Sequence, residues 1–134
     1  MKILFICKHN KFRSKVAEAI FNKLNKNKNI VAESAGSVGS IHKTPEIVVK
    51  ILKERSYDTK RTEARKFKLS KINDFDIIII VASNVDPLFF KGFKGKIIHW
   101  KISDCPEEDI KGVKRRINEI EKKVKKLVKD YSSY

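Results

Sequence analysis

The sequence predicts an α/β protein: four parallel strands in one sheet, the middle layer of a three-layer sandwich with helices on both faces. Two continuous apolar runs, Ile3–Cys7 and Ile77–Ala82, have the character of strands buried on both sides. Amphipathic stretches lie between the apolar runs, and strands that alternate with helices pair in parallel. Small and polar residues gather at the strand ends, at Ser34-Ala35-Gly36, Ser83-Asn84 and Ser103-Asp104, where such sheets bind ligands.

The strand candidates, in order, are Ile3–Cys7, Ile30–Ser34, Ile77–Ala82 and Lys96–Trp100. The first helix, Ser14–Leu24, sets Val16, Ala17, Ile20, Phe21 and Leu24 on one face. Thr44-Pro45-Glu46 has the pattern of an N-cap, a first-turn proline and an early acid, opening a helix that runs to about Arg55. The last helix carries Ile110, Val113, Ile117, Ile120, Val124, Leu127 and Tyr131 in 3-4 alternation. That stripe fits a coiled-coil seam or a face turned to the core, and on a small domain the core is expected. Its acidic start at Pro106-Glu107-Glu108-Asp109 and its lysine-rich later turns both suit the helix dipole.

With 134 residues the chain is expected to form one domain, 1–134, able to bury most of its apolar surface. An apolar content of 41% argues against disorder. No apolar run approaches a membrane span and no cleavage-site pattern follows the first strand, so a cytosolic location without a membrane partner is expected. Two cysteines, Cys7 and Cys105, are too few for a disulfide scaffold or a zinc site, and no metal or other cofactor is expected. The formal charge of +15 favours anionic partners. Its lysines are spread along the whole chain, which reads as a solvated surface rather than a nucleic-acid interface.

The chemistry concentrates in Cys7-Lys8-His9-Asn10-Lys11-Phe12-Arg13-Ser14, between the first strand and the first helix. A short loop from a buried strand into a helix aims backbone N–H groups and the helix's positive end at one point, a ready anion site. A thiol in that field is expected to have a lowered pKa and to act as a thiolate nucleophile. Arg13 adds a planar fork of donors that matches the oxygens of a tetrahedral oxyanion. Against this, Cys7 could be a buried strand-end thiol, Arg13 a surface charge, and Asp104 a cap for the last helix.

The strand Ile3–Cys7, Asn10, Arg13-Ser14, Ala17-Glu18, Ser34-Ala35-Gly36 and Asp104 form an ordered set. The chain resembles the low-molecular-weight protein tyrosine phosphatases and the thioredoxin-coupled arsenate reductases that share their fold, over nearly its whole length. That resemblance implies a four-stranded parallel sheet with helices on both faces and a cysteine-dependent activity. It implies that Cys7 is the nucleophile and that Arg13, with the backbone amides of Lys8 through Arg13, holds the equatorial oxygens. It makes Lys8, His9, Asn10, Lys11, Phe12, Arg13 and Ser14 the substrate-binding loop. Ser14 would hydrogen-bond the Cys7 thiolate, Asn10 would prop the loop in a left-handed backbone, and Asp104 would protonate the leaving oxygen and then activate water. Lys8 and Lys11 are expected to raise the local potential, and His9 either to add a titratable charge or to face solvent. Phe12 stands where many relatives have a second loop cysteine, so their loop disulfide is excluded. Leu88-Phe89-Phe90 and Phe93 either wall the pocket or pack on the core.

The two branches differ in how the cysteine adduct is resolved, by water or by a second thiol. The loop after the third strand, Ser83–Phe90, holds none of the cysteines a thioredoxin-coupled relay needs, which favours hydrolysis. His99-Trp100 is closer to the reductase branch, and Cys105-Pro106 replaces the aromatic that lines a phosphotyrosine pocket. Cys105 is a candidate redox partner for Cys7. The expected substrate is a phosphorylated protein or small phosphate ester hydrolysed through a phosphocysteine. The alternatives are arsenate reduction with a thioredoxin-like reductant, or a non-catalytic module that binds oxyanions or acidic partners.

Overall fold

β1 (Lys2–Cys7) and β3 (Ile77–Val81) occupy the centre of the sheet because every residue from Ile3 to Cys7 and along β3 is apolar enough to be covered on both faces. The computed structural model describes residues 1–132. β2 (Val31–Gly36) and β4 (Lys96–Trp100) flank the central pair in a fully parallel sheet of order β2-β1-β3-β4. Both outer strands begin with exposed residues, Val31 and Lys96, as edge strands tolerate.

The α-helices all serve one face. α1 (Arg13–Leu24), α2 (Glu46–Glu54) and α3 (Ile110–Asp130) pack with Ile3, Phe5, Ile77 and Ile79 in the larger core. The 3-4 stripe of α3 therefore turns inward: Val113, Ile117, Ile120, Val124 and Leu127 are buried, while Ile110 at its start stays exposed. The opposite face, presenting Leu4, Ile6, Ile78 and Ile80, is covered by Phe67, Phe75, Val85 and Phe90. Phe90 comes from the short 3-10 helix Pro87–Phe90 and the other three from loops, while a second 3-10 helix, Leu69–Asp74, adds the half-buried Ile72; sequence periodicity reveals neither helix.

Two expectations need correction, and one alternative falls away. β2 runs on through Ala35 and Gly36 rather than ending at Ser34, because Gly36 pairs with Cys7 and also takes up the backbone of Arg65 and Phe67. Thr44 does not cap α2; the cap position is Pro45, and the buried Thr44 hydroxyl donates to the Thr62 carbonyl. The cap of α3 is Asp109, whose carboxylate accepts from Gly112 N at 2.9 Å, so Asp104 is free of that duty. No helix among the described residues is long and apolar enough to cross a membrane.

Gly36 ties the sheet to the loop that follows β1. A Cβ there would lie 2.7 Å from the Val38 oxygen, 2.8 Å from the Lys8 oxygen and 2.9 Å from the His9 carbonyl carbon. These are backbone atoms and cannot swing aside. Gly36→Ala is expected to cost about 1–3 kcal/mol of stability by overpacking, read as a lowered thermal midpoint. An unchanged midpoint would mean that the loop yields freely.

Candidate active site

The loop from Cys7 to Arg13 leaves β1 at its carboxyl end and enters α1 directly. Among the described residues the amide N–H groups of residues 8–12 make no hydrogen bond within the chain, and α1 begins without a side-chain cap. Free amides and an open helix N-terminus concentrate partial positive charge at one point. Val38 N and Ser37 N donate to the Lys8 and Cys7 carbonyls, which holds the loop from the β2 side.

Asn10 is the pivot. Its φ of 57° lies in the left-handed region, which asparagine tolerates and which reverses the chain so that the amides converge. Its fully buried side chain donates to Ser14 Oγ (2.8 Å) and to Ser34 Oγ (3.0 Å), and accepts from Arg65 N (2.9 Å). Ser34 in turn donates to Glu18 Oε1 at 2.6 Å. Ser14 Oγ also lies 2.9 Å from Cys7 Sγ, placed to donate to the sulfur when Cys7 is a thiolate. The Asn10 amide is thus the hub of the network, donating on one side to Ser14, next to the Cys7 sulfur, and on the other to Ser34, which passes its hydrogen to the Glu18 carboxylate. Asn10 and Ser14 therefore support the loop from behind, with their side chains used on each other.

Arg13 is a buried cation, 2% exposed. Nη1 donates to the Ile102 carbonyl (2.8 Å) and Nη2 to Asn84 Oδ1 (3.1 Å). These partners come from the ends of β4 and β3 and lock the guanidinium plane. Asp104 Oδ2 lies 3.8 Å from Arg13 Nη2, and Asp104 Oδ1 accepts from Cys105 N (2.9 Å). Arg116 of α3 clamps the segment that carries Asp104, donating to Ser103 O, Ser103 Oγ and Asp104 O.

Cys7, His9, Lys11, Phe12, Arg13 and Asp104 line one small cavity of about 20 Å³. Lys11, Phe12 and Asp104 also line a wide neighbouring cleft of about 750 Å³, walled by His42, Lys43 and Pro45 on one side and Cys105 to Glu108 on the other. Cys105 is a free thiol, and burial pushes its pKa up while Arg116 pulls it down. Lys8 is outside both linings. Leu88, Phe89, Phe90 and Phe93 are outside them too: Phe90 packs 5.7 Å from Phe67 on the far face of the sheet, and Leu88 is exposed.

Sequence reasoning placed Cys7, Arg13 and Asp104 together, and the fold brings them to one cavity. It missed the roles of Asn84, Arg116 and the Ile102 carbonyl. Asn84 could be noted as a polar residue at a strand end, whereas nothing marked Arg116 among the cations of α3.

A parallel α/β sheet with a thiol at the base of an amide-lined loop and a locked arginine above it defines a class of oxyanion-binding proteins with a cysteine at the anion. The chain belongs to the low-molecular-weight phosphotyrosine protein phosphatase family, whose model matches residues 2–133. It is similar to an arsenate reductase from Archaeoglobus fulgidus at 32% identity, with a TM-score of 0.75 over 94% of this chain and 98% of that one. It shares its fold with a low molecular weight protein tyrosine phosphatase from T. tengcongensis (23% identity, TM-score 0.84, 97% of this chain and 99% of that one). The YwlE arginine phosphatase from Geobacillus stearothermophilus also has this fold (18% identity, TM-score 0.83, 96% of this chain and 91% of that one). Among curated proteins none matches the chain.

Proposed function

We propose that the protein is a single-domain, cytosolic, cysteine-dependent phosphatase that hydrolyses phosphate monoesters through a phosphocysteine. The observation that carries this reading is the convergence of Cys7 and Arg13, from the loop after β1, with Asp104, from the distant segment after β4, on one cavity. The substrate phosphate sits under the free amides of the loop, with its equatorial oxygens also met by Arg13. Cys7 Sγ attacks phosphorus in line as the bond to the leaving oxygen breaks, and Asp104 delivers its proton to that oxygen. The Asp104 carboxylate then takes a proton from water, the water oxygen attacks phosphorus, and inorganic phosphate leaves with the thiolate restored. Phosphorylated proteins and small phosphate esters are the substrate class, and the wide cleft beside the loop offers room for the rest of such a molecule.

Asp104→Asn is expected to slow hydrolysis of an alkyl phosphate by about 100-fold or more, while an aryl phosphate with a good leaving group loses less in the first step. Equal rates for wild type and variant on the alkyl ester would remove Asp104 from the reaction. Vanadate is expected to inhibit in competition with substrate.

Arsenate reduction is the second reading, favoured by the similarity to the Archaeoglobus fulgidus reductase and by Cys105 lying beside Asp104 in the same cleft. The Cys7 thiolate would displace one arsenate oxygen, which leaves as water once protonated, to form an S–As(V) adduct, and the Cys105 thiolate would attack the Cys7 sulfur. The two electrons of the S–As bond would pass to arsenic, releasing arsenite and leaving a disulfide for a thioredoxin-like dithiol to reduce. The raised pKa of Cys105 keeps it largely protonated at neutral pH, which favours water as the resolving nucleophile. Arsenate-dependent oxidation of reduced thioredoxin, lost in Cys105→Ser, is the result this reading requires. Full phosphatase activity in Cys105→Ser with no arsenate turnover in either protein would leave hydrolysis alone.

A further inference from the structure

Every buried side-chain nitrogen or oxygen without a hydrogen-bond partner among the described residues belongs to one of three neighbours: Lys15 (Nζ), Thr59 (Oγ1) and Arg61 (Nε and Nη2). All three line one cavity of about 140 Å³ between α1 and the 58–61 segment, distinct from the cleft over the catalytic loop. Lys15 is 1% exposed, and a lysine is almost never so buried without a partner. Desolvation lowers the pKa of its ammonium, with Glu18 opposing.

Glu18 does not satisfy this set. Its Oε1 is taken by the Ser34 hydroxyl, and its Oε2 forms an ion pair with Arg61 Nη2 at 3.7 Å, too long for a hydrogen bond. The lining carries Lys15, Lys60 and Arg61 against Glu18 and Asp58, while Arg65 and Glu63 also act on Lys15. Four shielded donors in one polar cavity call for an acceptor, since buried polar groups are partnered in folded proteins. The cavity exceeds the ~30 Å³ share of a single water several-fold. Nε and Nη2 form one edge of the Arg61 fork, which meets two oxygens of a planar or tetrahedral oxyanion. The Glu18 carboxylate repels an oxyanion that carries no proton, but accepts a hydrogen from one that does.

We propose that the cavity between α1 and the 58–61 segment binds a free, protonated tetrahedral oxyanion, inorganic phosphate or its arsenate analogue. Lys15, Thr59 and Arg61 donate to its oxygens, and Glu18 accepts its hydroxyl. Because Glu18 also accepts from Ser34, the hydroxyl to which Asn10 of the loop donates, the second anion and the catalytic loop share one carboxylate.

The test is titration calorimetry of the intact protein at pH 7 with inorganic phosphate and, separately, with sulfate, which at that pH has no proton to give. Phosphate is expected to bind at two sites and sulfate at the catalytic loop only. Arg61→Gln and Thr59→Val are each expected to weaken the second phosphate site at least tenfold while the loop site keeps its affinity, an internal control for folding. Crystals of the Cys7→Ser protein soaked in arsenate should show an anomalous peak in each place. A single phosphate site in wild type, a second site untouched by Arg61→Gln, sulfate filling it as well as phosphate, or water alone in the cavity would each overturn the proposal.

Discussion

Cys7→Ser is expected to lose aryl-phosphate hydrolysis by about 10⁴-fold or more while still binding phosphate, because the loop that holds the anion is built from backbone. Removing a nucleophile from a preorganised site typically costs several orders of magnitude in kcat and leaves the binding donors in place. The amides of residues 8–12, the uncapped start of α1 and Arg13 do not depend on the sulfur. Ser14 and Asn10 would remain paired, since their 2.8 Å bond does not involve Cys7. Steady-state kinetics together with phosphate titration separate the two effects. A variant that loses both binding and turnover would show that Cys7 shapes the loop rather than reacting from it.

Arg13→Lys is expected to lower kcat/KM by about 10³-fold or more, the scale on which an arginine at a phosphoryl group acts. Arg13 holds Ile102 O and Asn84 Oδ1 simultaneously, with the planar guanidinium still available to the anion. A lysine ammonium is one point charge on a flexible stem, and it cannot span both partners and two phosphate oxygens. The buried Ile102 carbonyl would lose its donor, so thermal stability falls along with activity. A denaturation midpoint and a kcat/KM measured on the same preparation check both parts. Near-normal turnover in Arg13→Lys would mean that charge alone suffices and that the fork geometry is incidental.

The parts of this architecture that could be read in the sequence are local or periodic. β3 is legible because Ile77-Ile78-Ile79-Ile80-Val81 must be covered on both faces, and only a central strand meets that need. α3 is legible because its apolar stripe has the helical period, and its core-facing side follows the stripe. The loop is legible because cysteine, asparagine, arginine and serine are neighbours in the chain, and strand-to-helix geometry aims them together. Where the reading failed, a distant partner decided. Thr44 has the sequence of a cap but donates to Thr62 instead, and β2 extends to Gly36 because Arg65 and Phe67 pair with it.

The same division holds at the site. Which residue attacks, and that an anion binds beside it, follow from a handful of consecutive residues whose backbone alone makes the cradle. How firmly the cradle is held does not. Asn84 and Ile102 lock Arg13, Arg116 clamps the segment of Asp104, and Ser34 with Glu18 orients Asn10. These contacts join residues from 12 to 89 positions apart, and only the parallel sheet, by gathering every strand's carboxyl end on one edge, brings them within hydrogen-bond reach.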